Sequence, residues 1–291
     1  MNAATFKPAL FFLICTVVLV LANFCLLYYY QYSITLLAIF CGLLLVVLIS
    51  RSMRCSQIDR RKVLALLILI AITVVYYVAS LQVDGTLLLF IRGHVHHQFF
   101  GWAIPVTSFS SIEPFFAMIS APILGYFWLK LTAKNKDWSV CSKVICGMLL
   151  TSTCFIFFSA ATLVQFSRTL PLFFVVLGNI FLGLSDSFEV PIVMSAVSRY
   201  APPQLLGTLM GVVFMRNAIA GYFASLVGRL SSFRGSVAKS VQGYLFSFLL
   251  VFVLCVLVTI LLWVLAPHIT RLFEGKNIMK KTMGGLEHAN N

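Results

Sequence analysis

Long apolar runs, broken by short charged or turn-forming stretches, make up most of this chain. Eight of them fall at 9–30, 33–50, 62–82, 108–130, 141–165, 170–197, 206–228 and 241–267. Most hold about 18 or more apolar-rich positions, the length of a transmembrane helix and not of a barrel strand. The predicted fold class is therefore all-α, a polytopic membrane protein with about eight transmembrane helices. Little more than Gln31 and Tyr32 separates the first two runs, which predicts a tight helical hairpin over 1–50. The polar stretch 51–61 reads as a basic cytoplasmic linker, 62–267 as a six-helix bundle and 268–291 as a cytoplasmic tail.

Composition strengthens this reading. Of 291 residues, 61% are hydrophobic and only 10% charged, with a mean hydropathy of +1.01. Soluble domains carry about a quarter charged residues, so a water-soluble globule is excluded. The formal net charge of +13 points to basic loops and not to nucleic acid. Lys7, Arg51, Arg54, Arg60, Arg61, Lys62, Lys130, Lys134, Lys136, Lys143, Arg199, Arg271, Lys276, Lys280 and Lys281 fall on one side of an eight-span arrangement. Arg92, Arg168, Arg229, Arg234 and Lys239 fall on the other. The bias predicts both termini in the cytoplasm. The first apolar run is longer than a signal-peptide core and reads as an uncleaved span. Of the eight cysteines, only Cys55 lies away from an apolar segment. Core packing fits them better than a disulfide framework.

Ionisable groups inside a span are costly, by about 2.5–3.5 kcal/mol each at mid-helix on insertion scales. Four stand out: Glu113, Asp186, Glu189 and Arg216. Asp186 and Glu189, three apart on one helix, can face a common cavity. Arg216, in the middle of the seventh span, needs a counter-ion, and pairing with Asp186 or Glu189 would neutralise the interior. Two readings remain open: a structural ion pair, or a water-accessible cavity that binds a charged solute or carries protons. Three carboxylates against one arginine leave excess acid, which a simple pair does not explain. Pro114, Pro122 and Pro191, with Gly178, Gly183, Gly207, Gly211 and Gly221, punctuate the same spans. They suit close helix packing and equally a rocking transporter.

Other chemistry is sparse. His94, His96 and His97 share an expected outer loop with Asp84 as the nearest further ligand, too few for a metal site. Tyr28-Tyr29-Tyr30 fits an interfacial aromatic belt. Walker A, G-x-S-x-G and H-E-x-x-H patterns are absent from the sequence, so neither hydrolysis nor an ATP-driven pump is indicated. A membrane-embedded enzyme is disfavoured and no cofactor is expected.

The order and spacing of several patches are more specific. Tyr77 to Gln82 is followed by Thr86-Leu-Leu-Leu-Phe90. Phe109-Ser-Ser-Ile-Glu-Pro114 precedes Ala121-Pro122 and Tyr126-Phe-Trp128, and Pro191 and Ser195 precede Ala201-Pro-Pro-Gln-Leu-Leu-Gly-Thr-Leu-Met-Gly211. Over roughly residues 60–230 this resembles the C-terminal half of the proton-dependent oligopeptide transporters of the major facilitator superfamily. The resemblance implies a six-helix half-bundle preceded by the extra helix hairpin of bacterial members. It places Asp186 where the family has a glutamate that receives the peptide's amino terminus, and Glu113 where it has a peptide-contacting asparagine. Gln82 keeps the glutamine of a Glu-Gln pair whose glutamate is replaced by Leu81. Phe214 keeps a pocket aromatic, whereas the tryptophan before it is replaced by Val213. Glu189 and Arg216 would then serve proton coupling or charge balance.

The reading implied is half of a proton-coupled di-/tripeptide transporter of a bacterial inner membrane. Its partners would be membrane lipid, protons, a small peptide-like solute, and a separately encoded N-terminal half or a second copy. The competing reading is a non-transporting membrane scaffold or regulator.

Overall fold

A computed structural model describes residues 16–18, 20–21, 24, 28, 30–96, 98–99, 102–134, 136–165, 167, 170–231 and 237–274. Most of the expected first span, 9–30, lies outside them, and those of its residues that are described are helical; His97 and most of the tail also lie outside. The chain divides into two compact units, Met1–Val47 and Leu48–Asn291.

The first unit is represented by most of helix α1 (Tyr30–Met53). Leu36, Ile39, Phe40 and Leu43 on this helix are exposed, as suits an element solvated by lipid. Gln31 and Tyr32, read above as the turn of a hairpin, are helical. Neither residue has the turn chemistry of Gly, Pro or Asn, and both sit comfortably in a helix. The basic segment is also largely helical, because α1 runs to Met53 and α2 starts at Gln57. The break is confined to Arg54–Ser56.

Ser56 caps α2 (Gln57–Gln82), accepting from the Asp59 amide at 3.2 Å and donating to the Asp59 carboxylate at 2.8 Å. Such reciprocal capping satisfies donors that a helix start leaves orphaned. Arg60 donates to the carbonyls of Ser52 and Met53 at the end of α1. Where the sequence led us to end a span at Gln82, the helix continues. A wide π turn (Val83–Leu87) leads directly into α3 (Leu88–His94), making one span from Gln57 to His94. Asp84, Gly85, Arg92 and Gly93 have the composition of a loop, but the π turn takes up Asp84 and Gly85 with one extra residue per turn, and Arg92 and Gly93 fall in the last turn of α3. His94 therefore ends a helix: its ring stacks on Phe90 and meets Tyr244 edge-on, with centroids 5.7 and 5.5 Å apart.

Beyond a minimal antiparallel pair, β1 (Gln98–Phe99) with β2 (Trp102–Ala103), a 3-10 turn (Val106–Ser111) opens α4 (Ile112–Ala133). The remaining helices are α5 (Val140–Leu163), α6 (Leu170–Tyr200), α7 (Leu206–Ser231) and α8 (Val237–Glu274). Among the described residues six helices are long and apolar enough to cross a membrane, with a shorter apolar helix over Ala38–Met53. All six fall on segments expected as spans.

In lipid, helices associate through close packing and not through expulsion of water. Here α5 packs against α6 and α8, α4 against α6, and α2 against both α7 and α8. A Cβ on Gly178 would fall inside the Phe158 ring, and one on Gly183 would overlap the carbonyl oxygen of Glu113. Glycine is what lets α6 approach α5 and α4 so closely. Phe155, Phe158 and Phe248 fill the centre, with ring centroids 5.4–6.3 Å apart. α4, by contrast, leaves Phe115, Met118, Ile123 and Tyr126 exposed.

Candidate functional site

Helix α2 organises the ionisable groups. Thr73, Tyr76, Tyr77 and Ser80 recur at helical spacing and project toward three neighbouring helices. The Tyr76 hydroxyl donates to the Asp186 carboxylate on α6. One turn further on, the Ser80 hydroxyl donates to Glu113 Oε1 on α4 at 3.1 Å. On the α7 side, Arg216 Nη1 donates to Thr73 Oγ1 at 2.6 Å. The Arg216 guanidinium also lies over the Tyr77 ring, 4.1 Å from its centroid, a cation–π contact strengthened by exclusion of water. Thus α2 meets each of these charges with its own neutral hydroxyl or ring.

The expected pairing of Arg216 with Asp186 or Glu189 is not formed. No nitrogen–oxygen contact within 4.0 Å joins them, and the ion pair found among the described residues is Lys143 with Asp137. Thr73 and the Tyr77 ring engage the guanidinium instead. Glu189 is only 1% exposed and neither carboxylate oxygen has a hydrogen-bond partner among the described residues. Arg216, 3% exposed, has an unpartnered Nε. The two groups interact through space, with Asp186 also in electrostatic range of Glu189. Space for Glu189 comes from α5: a Cβ on Gly147 would stand 3.2 Å from Glu189 Cγ and 3.0 Å from Phe188 Cβ.

The other expected site residues separate. Gln82 is 2% exposed and hydrogen-bonded within the protein: Nε2 donates to the Ala224 carbonyl at 3.0 Å, and Oε1 accepts from Thr86 at 2.5 Å. It pins α2 to α7. Phe214 is 61% exposed on α7, away from the buried charges. Asp186 and Glu113 are half-buried, and so combine a fixed hydrogen bond with remaining access. Sequence reasoning singled out the acids and the arginine but missed Thr73, Tyr76, Tyr77 and Ser80. Their helical spacing within a polar-poor span was the signal available.

A second constellation of hydroxyls binds α6 to its other neighbours. Ser185 donates to the Gly147 carbonyl at 2.8 Å and shares a 2.7 Å bond with Thr151. Ser187 and Ser120 share one of 2.6 Å. No group of three or more potential metal ligands occurs among the described residues.

Comparison with known proteins places this geometry in a family. Dipeptide and tripeptide permease B of Xenorhabdus bovienii (strain SS-2004) is 29% identical over 224 residues, covering 75% of this chain and 46% of that protein. Dipeptide and tripeptide permease B of Shigella dysenteriae serotype 1 (strain Sd197) is 26% identical over 228 residues, covering 76% and 46%. This chain thus spans about half the length of the curated relatives it matches. Among solved structures, a peptide transporter POT in complex with sulfate superposes with a TM-score of 0.69 at 18% identity, over 94% of this chain and 55% of that one. A POT family transporter in complex with 5-aminolevulinic acid gives 0.69 at 18% identity, over 93% and 56%. At such identities these two likenesses establish the shared helical fold. The family model PTR2, described as the POT family, matches residues 32–236, so this multi-pass membrane chain belongs to the POT family.

Proposed function

We propose that this chain supplies the C-terminal half of a proton-coupled transporter of di-/tripeptides or similar small solutes in a bacterial inner membrane. The carrying observation is that Asp186, Glu113 and Arg216 each rest on a neutral side chain of α2 and do not neutralise one another. Asp186, steadied by Tyr76 and half-buried, can receive a solute ammonium. Glu113, steadied by Ser80, offers a second acceptor, and the enclosed Glu189 can take up and release a proton with Arg216 balancing its charge. Solute sites of secondary transporters lie between two structural repeats, so these groups form one wall. The other wall would come from an N-terminal six-helix bundle, separately encoded or supplied by association. The relatives named as dipeptide and tripeptide permeases support this substrate class, and the basic loops support cytoplasmic termini.

Co-expression with a six-span N-terminal half, followed by dipeptide uptake driven by an imposed proton gradient, tests the reading. Uptake should rise as the outside is acidified, disappear in Asp186→Asn and lose its pH dependence in Glu189→Gln. Absence of uptake with both halves present in the membrane would favour a scaffold role instead. An unchanged pH profile in both variants would remove proton coupling from these acids.

A further inference from the structure

A cavity of about 560 Å³ lies apart from the α2-centred charges, between the end of α4, the start of α5 and the end of α6. Ligand pockets commonly fall in this size range. Its wall follows α6 from Ser187 to Tyr200, a rise of about 20 Å at helical pitch. The two ends differ in chemistry. Toward mid-bundle it is lined by Ala121, Leu124, Pro191 and Ile192, with Ser195 and with Ser187, whose hydroxyl is already bonded to Ser120; at its mouth stand Lys143, Arg199, Trp138 and Ser139.

The mouth is built for an anion. Lys143 Nζ bonds Asp137 Oδ1 at 2.7 Å and lies 4.6 Å from the centre of the Trp128 ring. Arg199, exposed and stacked at 5.5 Å over the Tyr200 ring, has no carboxylate within ion-pair distance among the described residues. Asp137 therefore offsets only one of the two cations. Ser139 caps α5, whose positive end opens on the same space. The buried indole N–H of Trp128, on the cavity wall, has no acceptor among the described residues. A phosphate oxygen is an acceptor that such a donor and two cations would share. The depth above the mouth, mostly apolar and with its Ser187 already hydrogen-bonded, is unsuited to a free ion and matches a hydrocarbon chain.

We propose that this cavity binds an anionic phospholipid, its phosphate at Lys143, Arg199 and Trp128 and one acyl chain along α6 toward Ser187. The proposal is independent of the transport reading, since binding is measured on the chain alone. Native mass spectrometry of the detergent-purified full chain would be run with added phosphatidylglycerol, phosphatidylcholine or inorganic phosphate. Phosphatidylglycerol should be retained in preference to the other two. Retention should weaken by about fivefold for each basic group removed, in Arg199→Gln and further in the double variant with Lys143→Gln. Arg199→Lys should keep most of it, and Arg229→Gln, at another helix end, all of it. Should the double variant not fold, Arg199→Gln alone decides, because that side chain is exposed. Equal retention of phosphatidylcholine, phosphate binding as firm as lipid binding, or undiminished retention in Arg199→Gln would each overturn the proposal.

Discussion

Helix α6 is packed in two unlike ways. Toward α4 and α5 it presents Gly178, Gly183, Ser185 and Ser187, and the hydroxyls there bond to one another or to backbone carbonyls. Toward α2 it presents Asp186 to Tyr76. Glu189, lodged against Gly147 of α5, lies in electrostatic range of Arg216 and Asp186, with its carboxylate oxygens unpartnered among the described residues. The first seam has the economy of ordinary membrane helix packing. The second retains costly groups that packing does not require. A helix satisfied on one flank and polar on the other is anchored on the former and available for chemistry on the latter.

The sharpest way to break this contrast is Gly183→Ala. The new methyl would overlap the Glu113 carbonyl, and backbone cannot rotate aside. Overpacking of this kind costs about 1–3 kcal/mol, and we expect the upper end, read as reduced thermal stability in detergent. Unaltered stability would mean that the α4–α6 approach is not tight. Next comes the charged flank. Arg216→Met should destabilise by about 2–3 kcal/mol, since it removes a cation in electrostatic range of the buried Glu189. Adding Glu189→Gln should restore part of the loss, with a coupling of about 1–3 kcal/mol between the two sites. Additivity within about 0.5 kcal/mol would show that Glu189 and Arg216 do not sense each other. Smaller again is Gln82→Leu, which removes the bond to Ala224 and should cost about 1 kcal/mol. Least of all, Ser185→Ala should cost about 0.6 kcal/mol, the mean for a hydrogen bond between membrane helices. If Ser185→Ala proved more damaging than Arg216→Met, the roles assigned to the two flanks would be reversed.

The six spans of the bundle were legible because lipid as a solvent demands uninterrupted apolar length, and that demand is written directly in residue order. The boundaries least legible were those where helix continues through polar residues. Asp84, Gly85 and Arg92 read as loop, yet a π turn through Asp84 and Gly85 and the short helix holding Arg92 keep them within one span. Gln31 and Tyr32 read as a turn through brevity alone. At the site, Glu113, Asp186, Glu189 and Arg216 announced themselves by charge. Their partners did not, because Tyr76 and Ser80 are neutral and acquire meaning only when α4 and α6 are set against α2. The Arg216 counter-ion was inferred from electrostatics, but a ring face and a hydroxyl supply much of what a carboxylate would.

Gly183 touches the backbone of Glu113 itself and stands less than one helical turn before Asp186. The gap between the two acids is therefore gauged by main chain against main chain, where no rotamer can drift. Solutes reaching these acids would meet a calliper of fixed opening, and any wider residue at position 183 would reset its jaws.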